Sequence, residues 1–302
     1  MSSNPPPSAA IPFAVASLGI ALFSVMDAAM KGLTIELGVY NAMIWRLACG
    51  FVIGGIAFFG MRSPWPSKPA MRLHMIRGCI GAVMAMTFFW GIARVPLAEG
   101  IALSFIAPLI TLYLAAVILG ETISRAAMIA SILGIGGVAV ILAGRIGGGI
   151  WNDEIMMGVL SILISALLYS YNLILQRQQA QIASPVEIAF FQNVFASISL
   201  GMFAPFLAIV PSVEHAPMIV LSAALAFVSL LLLSWAYARA EAQVLVPVEY
   251  TAFIWAAILG WMVFDEAVTP ATILGTVLIV AGCIIAARQK PAVVAHIETT
   301  AI

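Results

Sequence analysis

Ser24, Asp27 and Lys31 stand three and four residues apart in one apolar run, a spacing that puts all three on one face of a helix. A second apolar run repeats the pattern with Tyr169, Asn172 and Gln176. An ionisable side chain deep in hydrocarbon costs about 2.5–3.5 kcal/mol if it faces lipid, so such groups turn toward protein or a wet cavity. Two matching polar stripes are what a cavity between two related units would show. The other reading is that Lys31 and Gln176 mark helix ends and Asp27 bonds a neighbouring helix.

Arg46 lies about seven residues into the next apolar run, where its guanidinium could hold a substrate carboxylate through two parallel hydrogen bonds. An internal pair with Asp27, locking one conformation, is the alternative. Gln192 and Asn193 occupy the matching region of a later run if the intervening loop has gained two residues. Glu249, Tyr250 and Trp255 follow Pro247, where a broken helix would bare carbonyls to an ammonium group, and Glu249 is a candidate for amine recognition or proton coupling. Trp45, Trp90, Tyr113 and Trp235 could stack on a substrate, although Trp and Tyr also collect at bilayer interfaces.

These residues need a membrane to make sense. The 302-residue chain is 63% hydrophobic and 9% charged, against roughly 25% charged in soluble domains. The charges fall in short clusters between apolar stretches of about 20 residues, the length that crosses a bilayer as a helix. Ten helices are expected: Phe13 to Leu33, Val39 to Gly60, Met71 to Ala93, Leu97 to Gly120, Arg125 to Ala143, Ile155 to Leu175, Pro185 to Leu207, Pro217 to Ala238, Val244 to Phe264 and Pro270 to Ala287. The runs are continuously apolar, which excludes the alternation of barrel strands.

Thirteen basic and thirteen acidic residues cancel, so no nucleic-acid partner is indicated. With both termini cytoplasmic, inner segments hold Arg62, Lys68, Arg72, Arg77, Arg125, Arg177, Arg239, Arg288 and Lys290, and outer ones hold only Lys31, Arg94 and Arg145. This follows the positive-inside rule and predicts a multi-pass protein of a bacterial inner membrane. Residues 1–10 read as a short disordered tail before an uncleaved span, and 289–302 as a second tail. Cys49, Cys79 and Cys283 sit alone in apolar runs, which supports neither disulfide nor zinc site. No metal or cofactor is expected, and the oligomeric state is left open.

A shift of 145 residues superposes Trp90 on Trp235, Arg94 on Arg239, Glu121 on Glu266 and Gly137 on Gly282, with Ser124 opposite Thr269 and Asp27 opposite Asn172. The chain therefore reads as two repeats, residues 11–145 and 146–288. Five spans in each would invert one repeat relative to the other, the architecture in which substrate sits near the midplane between the repeats. Pro108 and Pro247 interrupt equivalent helices. Glu121 and Glu266, preceding the hydroxyls of Ser124 and Thr269, are read as structural groups that organise tight reversals and caps, with Pro270 suited to a first helical turn. Gly134 to Gly137, with Gly275 and Gly282, permit close packing, within the chain or in a dimer.

Trp90-Gly-Ile-Ala-Arg94 and Trp235-Ala-Tyr-Ala-Arg239, followed by Leu119-Gly-Glu121 and Phe264-Asp-Glu266, resemble the EamA-type branch of the drug/metabolite transporter superfamily. The likeness runs from about Phe13 to Arg288 and, within that branch, is greatest to the YddG-like exporters of aromatic and other amino acids. It implies an all-α membrane protein of two inverted five-helix repeats that moves a small molecule by alternating access. A carrier of hydrophobic cations, vitamins or nucleotide-type metabolites has the same architecture. A pump is disfavoured because the sequence holds no GxxxxGK[ST] loop. An enzyme is disfavoured because His74, His215 and His296 are read as scattered in loops and tail, with no nucleophile beside a base.

Overall fold

The computed structural model describes residues 10–119, 125–147, 152–237, 239, 245 and 248–287. Of the expected tails, residues 1–9 and 289–302 lie outside the described residues, as do Glu121, Ser124 and Pro247, and Ala10 already belongs to the first helix. Among those described the regular secondary structure is helix, with no strand. The helices are α1 (Ala10–Leu37), α2 (Val39–Gly60), α3 (Lys68–Ile92), α4 (Leu97–Ser104), α5 (Ala107–Leu119), α6 (Arg125–Gly147), α7 (Asp153–Ala180), α8 (Pro185–Gly201), α9 (Ala204–Leu207), α10 (Ala216–Tyr237), α11 (Ala252–Phe264) and α12 (Pro270–Ala287).

Local sequence sets their ends. One residue, Gly38, separates α1 from α2, and its φ of 76° is the left-handed backbone that glycine adopts without steric cost. Ser67 accepts the Ala70 N–H, Asn152 the Ile155 N–H and Ser184 the Glu187 N–H, each capping the helix that follows. Thr269 accepts the Thr272 N–H at 3.1 Å, ahead of Pro270 in the first turn of α12.

Six helices among the described residues are long and apolar enough to cross a membrane, and shorter apolar helices cover Leu97–Thr111, Ala252–Phe264 and Pro270–Ile285. The expected fourth span is two helices: α4 stops before Phe105 and α5 resumes at Ala107. Pro108 has no N–H to continue the ladder and its ring crowds the carbonyl of the preceding turn, which accounts for the break. The expected seventh span likewise ends at Gly201, ahead of the short α9.

Packing follows the repeat. On α6 and α12, a Cβ at Gly137 would lie 2.5 Å from the Gly275 carbonyl oxygen, and one at Gly282 would lie 2.6 Å from that of Ala130. The 145-residue shift exchanges these two contacts, and their order along the helices makes the pair antiparallel. The α3–α7 seam is antiparallel too: Gly91 meets Gly158, Thr87 meets Ser161, Met84 meets Ser165 and Arg77 meets Asn172. Its equivalent, α1 against α10, is also among the most extensive seams. A ring cluster of Phe58, Trp65, Phe190 and Phe191 fills the α2–α8 seam, with Phe58 stacked on Phe190 at 5.0 Å. The close Gly137–Gly275 approach is internal to the chain.

Lipid-facing surfaces are equally legible. Met157, Leu160, Ile164, Leu167 and Tyr171 are exposed along one stripe of α7, and a helix that bares such a stripe has hydrocarbon as its solvent.

Candidate functional site

At one end of the bundle, four charged side chains converge, three from different helices and one from the loop before the last helix. Lys31 of α1 forms an ion pair with Glu266 and donates to the Val95 carbonyl at 2.8 Å, its ammonium 5.0 Å from the centre of the Phe264 ring. The second carboxylate oxygen of Glu266 accepts the Leu97 N–H at 2.8 Å. Glu266, expected to organise its own reversal, thus also caps α4 in the other half. Its own N–H reaches the Gly260 carbonyl, beside Asp265 in the left-handed region. Close by, Glu99 pairs with Arg145 at 2.7 Å. Lys31 and Arg145, counted above as outer-loop charges, are helix residues paired with carboxylates at this end.

Midway along the bundle the side chains are polar but sparsely bonded. Asp27 is 4% exposed on α1 and feels the charge of Arg46 on α2, yet the two side chains form no ion pair. The Arg46 Nε is buried with no hydrogen-bond partner. The direct Asp27–Arg46 lock is therefore not formed in this conformation. Ser24 spends its hydroxyl on the Ile20 carbonyl of its own helix, at 3.0 Å.

Tyr169 marks accessible interior space. Ser165 and Asn172 face α3, and Ser170 faces α5 through a bond to the Ala107 carbonyl. At about 100° per residue, Tyr169 points between those two packed faces, about 200° from Tyr171 on the lipid stripe. It is nevertheless 37% exposed. The charges of Glu249 and Arg77 both act on it. Glu249 and Tyr250 are half-buried, and Tyr250 meets Phe105, at the α4–α5 break, edge to face at 5.3 Å.

At the opposite end from Lys31 lies a network that sequence reading missed. Arg77, placed above in an inner loop, and His74, read as a loop residue, are both buried inside α3. Arg77 donates to Asn172 at 3.0 Å, to Gln176 at 3.2 Å and to Gln179. His74 bonds Gln179 and, at 2.9 Å, Glu187. Gln192 donates to the Arg77 carbonyl at 3.3 Å with its own Oε1 left unpartnered, and Asn193 bonds back to Ala189. The one available signal was spacing: His74 and Arg77, three apart, share a helix face.

The aromatic candidates separate. The Arg94 guanidinium lies 3.5 Å from the Trp90 ring centre and donates to the Trp90 carbonyl, and Arg239 repeats both contacts on Trp235, at 4.2 Å. Trp45 donates to the Ile209 carbonyl and lines a cleft of about 250 Å³ with Cys49 and residues 210–213, 216, 219 and 220. Tyr113 is half-buried on α5 and Trp255 exposed on α11.

Two copies of one antiparallel helical unit, with polar groups gathered where they meet, define a membrane transporter. The EamA-like transporter family matches residues 10–143 and again 156–288, and the chain belongs to it. It is similar to the pseudopaline exporter CntI of Pseudomonas aeruginosa, 22% identical over 89% of this chain and 93% of that one. It is also similar to the riboflavin transporter of Rhizobium johnstonii, 25% identical over 90% and 89%, and to the S-adenosylmethionine uptake transporter of Rickettsia prowazekii, 24% identical over 87% of each chain. These relatives move chemically different metabolites, so the family resemblance does not extend to amino-acid exporters in particular.

Proposed function

We propose that this protein is a secondary transporter of small zwitterionic metabolites, amino acids foremost, working by alternating access between two inverted five-helix repeats in a bacterial inner membrane. Both termini are cytoplasmic in this reading and the transport direction is export. One observation carries it: Asp27 and Arg46 are deep, opposite in sign and not joined, and Arg46 holds an unused buried donor. Leaving a buried charged donor unsatisfied is costly, and a substrate carboxylate supplies the missing acceptor while Asp27 faces the ammonium. Tyr169, Glu249 and Tyr250 line the same space, and Asn172 stands behind it, held by Arg77. Ser24 and Gln192 border it.

The test is counterflow of radiolabelled neutral amino acids into proteoliposomes. Wild-type protein should exchange them, and Arg46→Ala should lose the carboxylate substrates. Undiminished uptake by a correctly folded Arg46→Ala variant removes Arg46 from the site. For direction, cells carrying the protein should discharge preloaded label faster than cells without it.

The relatives named for riboflavin and S-adenosylmethionine favour a second reading, a vitamin or nucleoside-bearing substrate. S-adenosylmethionine itself ends in an amino-acid group, which the Asp27–Arg46 pair would fit. Competition of the amino-acid exchange by that compound separates the two readings.

A further inference from the structure

The buried network at the Arg77 end has a direction. Arginine only donates, so the bond from Arg77 fixes the Gln179 side chain with Oε1 toward Arg77. Its amide Nε2 is then a donor 2.5 Å from His74 Nδ1, which must accept. The single ring proton of His74 therefore sits on Nε2 and points at Glu187, 2.9 Å away. Every orientation from Arg77 to Glu187 follows from the one group that cannot reverse.

Adding a proton breaks this order. On Nδ1 it would face the Gln179 amide, donor against donor. Relief comes from turning that amide so that Oε1 accepts from His74, and the amide nitrogen then faces Arg77, again donor against donor. One proton on His74 thus costs the Arg77–Gln179 bond, which ties α3 to α7, while Arg77 keeps its bonds to Asn172 and Gln176.

The groups around His74 are few. Glu187 faces it from α8, Gln179 from α7 and Arg77 from its own helix, and the Phe191 ring stacks on it at 5.1 Å. Lys68 and Arg72 of the same helix are exposed. His74 and Gln179 are both 0% exposed. The repeat does not need this network to pack: the 145-residue shift puts Ile219, Ser222 and Thr34 where His74, Arg77 and Gln179 stand, and the α1–α10 seam still forms.

We propose that His74 binds a proton during the transport cycle and that this proton, by taking Gln179 from Arg77, loosens the α3–α7 seam beside the substrate space. The chemistry is one proton taken up on Nδ1 and returned from it, with Glu187 balancing the imidazolium charge. The idea rests on the transporter reading and not on the substrate chosen above.

The chain has three histidines, His74, His215 and His296, so full-length protein labelled with ¹⁵N-histidine in liposomes gives few ring signals, and Glu187→Gln and His74→Gln identify those of His74. Between pH about 5 and 8, the range in which histidines change charge, the His74 signals should pass from the Nε2–H form to the doubly protonated form. In protein labelled with ¹⁵N-arginine as well, the Arg77 side-chain signals should move with them. A His74 ring that keeps one form throughout overturns the proposal. In parallel, uptake of labelled phenylalanine is compared with and without an imposed proton gradient. The ratio should exceed one in wild type and fall to about one in His74→Gln, and a wild-type ratio of one in a protein that exchanges phenylalanine overturns the proposal. Absence of any phenylalanine exchange counts against the amino-acid reading, and the spectra then decide the question for His74.

Discussion

Lys31, which is buried, and Glu266, which is partly buried, form an ion pair that joins the first helix to the loop before the last, across the two repeats. The same carboxylate caps α4 through the Leu97 N–H, so one group holds three segments. Removing one member of a buried pair strands the other charge and costs about 3–5 kcal/mol, whereas replacing both by apolar groups is near neutral. Glu266→Ala should therefore lower the thermal unfolding temperature sharply, and the double variant Lys31→Met, Glu266→Leu should recover most of the loss. Equal losses in single and double variants would show that the Leu97 cap, and not the ion pair, dominates.

The α6–α12 contact makes a second prediction. A methyl at Gly137 would meet the Gly275 carbonyl oxygen at 2.5 Å, and a methyl at Gly275 would meet that of Gly137 at the same distance. Backbone cannot yield as a flexible side chain does, so each Gly→Ala change should cost about 1–3 kcal/mol, the usual range for overpacking. Gly136, with open space around its would-be Cβ, is the control, and Gly136→Ala should leave thermal stability within about 0.5 kcal/mol of wild type.

The repeat was legible because Trp and Arg are rare here and recur in register, and Arg94 on Trp90 and Arg239 on Trp235 make the same contacts. The Asp27 and Asn172 stripes were legible because hydrocarbon makes every buried polar group conspicuous. What stayed hidden were partners. Spacing along one helix shows that Lys31 needs a counter-charge, but only the fold brings Glu266 to it from 235 residues away. Charge counting also failed locally: the positive-inside reading treats Arg77 as a loop charge, whereas α3 begins at Lys68 and buries Arg77 against three side chains of α7. Glu99 and Glu187 drew no notice because each reads as an acid near a helix start.

The ring cluster between α2 and α8 gives a third prediction. Phe58 is buried and contacts Phe59, Trp65, Phe190 and Phe191. Phe58→Ala should cost about 3–5 kcal/mol, and Phe58→Leu should cost less because more of the volume is kept. Thermal unfolding in detergent reads both, and equal losses would mean that ring stacking outweighs filled volume.

The fourth prediction separates the two charges of the substrate space. A hydrogen bond to a charged group is worth about 1.5–3 kcal/mol, or about 10- to 150-fold in affinity. Arg46→Lys keeps the charge but loses the planar fork that grips a carboxylate through two bonds, so it should raise the KM for amino acids by about tenfold without abolishing exchange. Asp27→Asn should weaken amino acids by a similar factor while leaving N-acetylated analogues, which lack the ammonium, unaffected. Amines without a carboxylate should respond the opposite way, being insensitive to Arg46→Lys and sensitive to Asp27→Asn. If both variants depress all three substrate types equally, the pair serves helix packing and the two charges are not read separately by the substrate. Crossed sensitivities arise only when each charge touches its own end of the bound molecule, and competition assays in the same vesicles measure them directly.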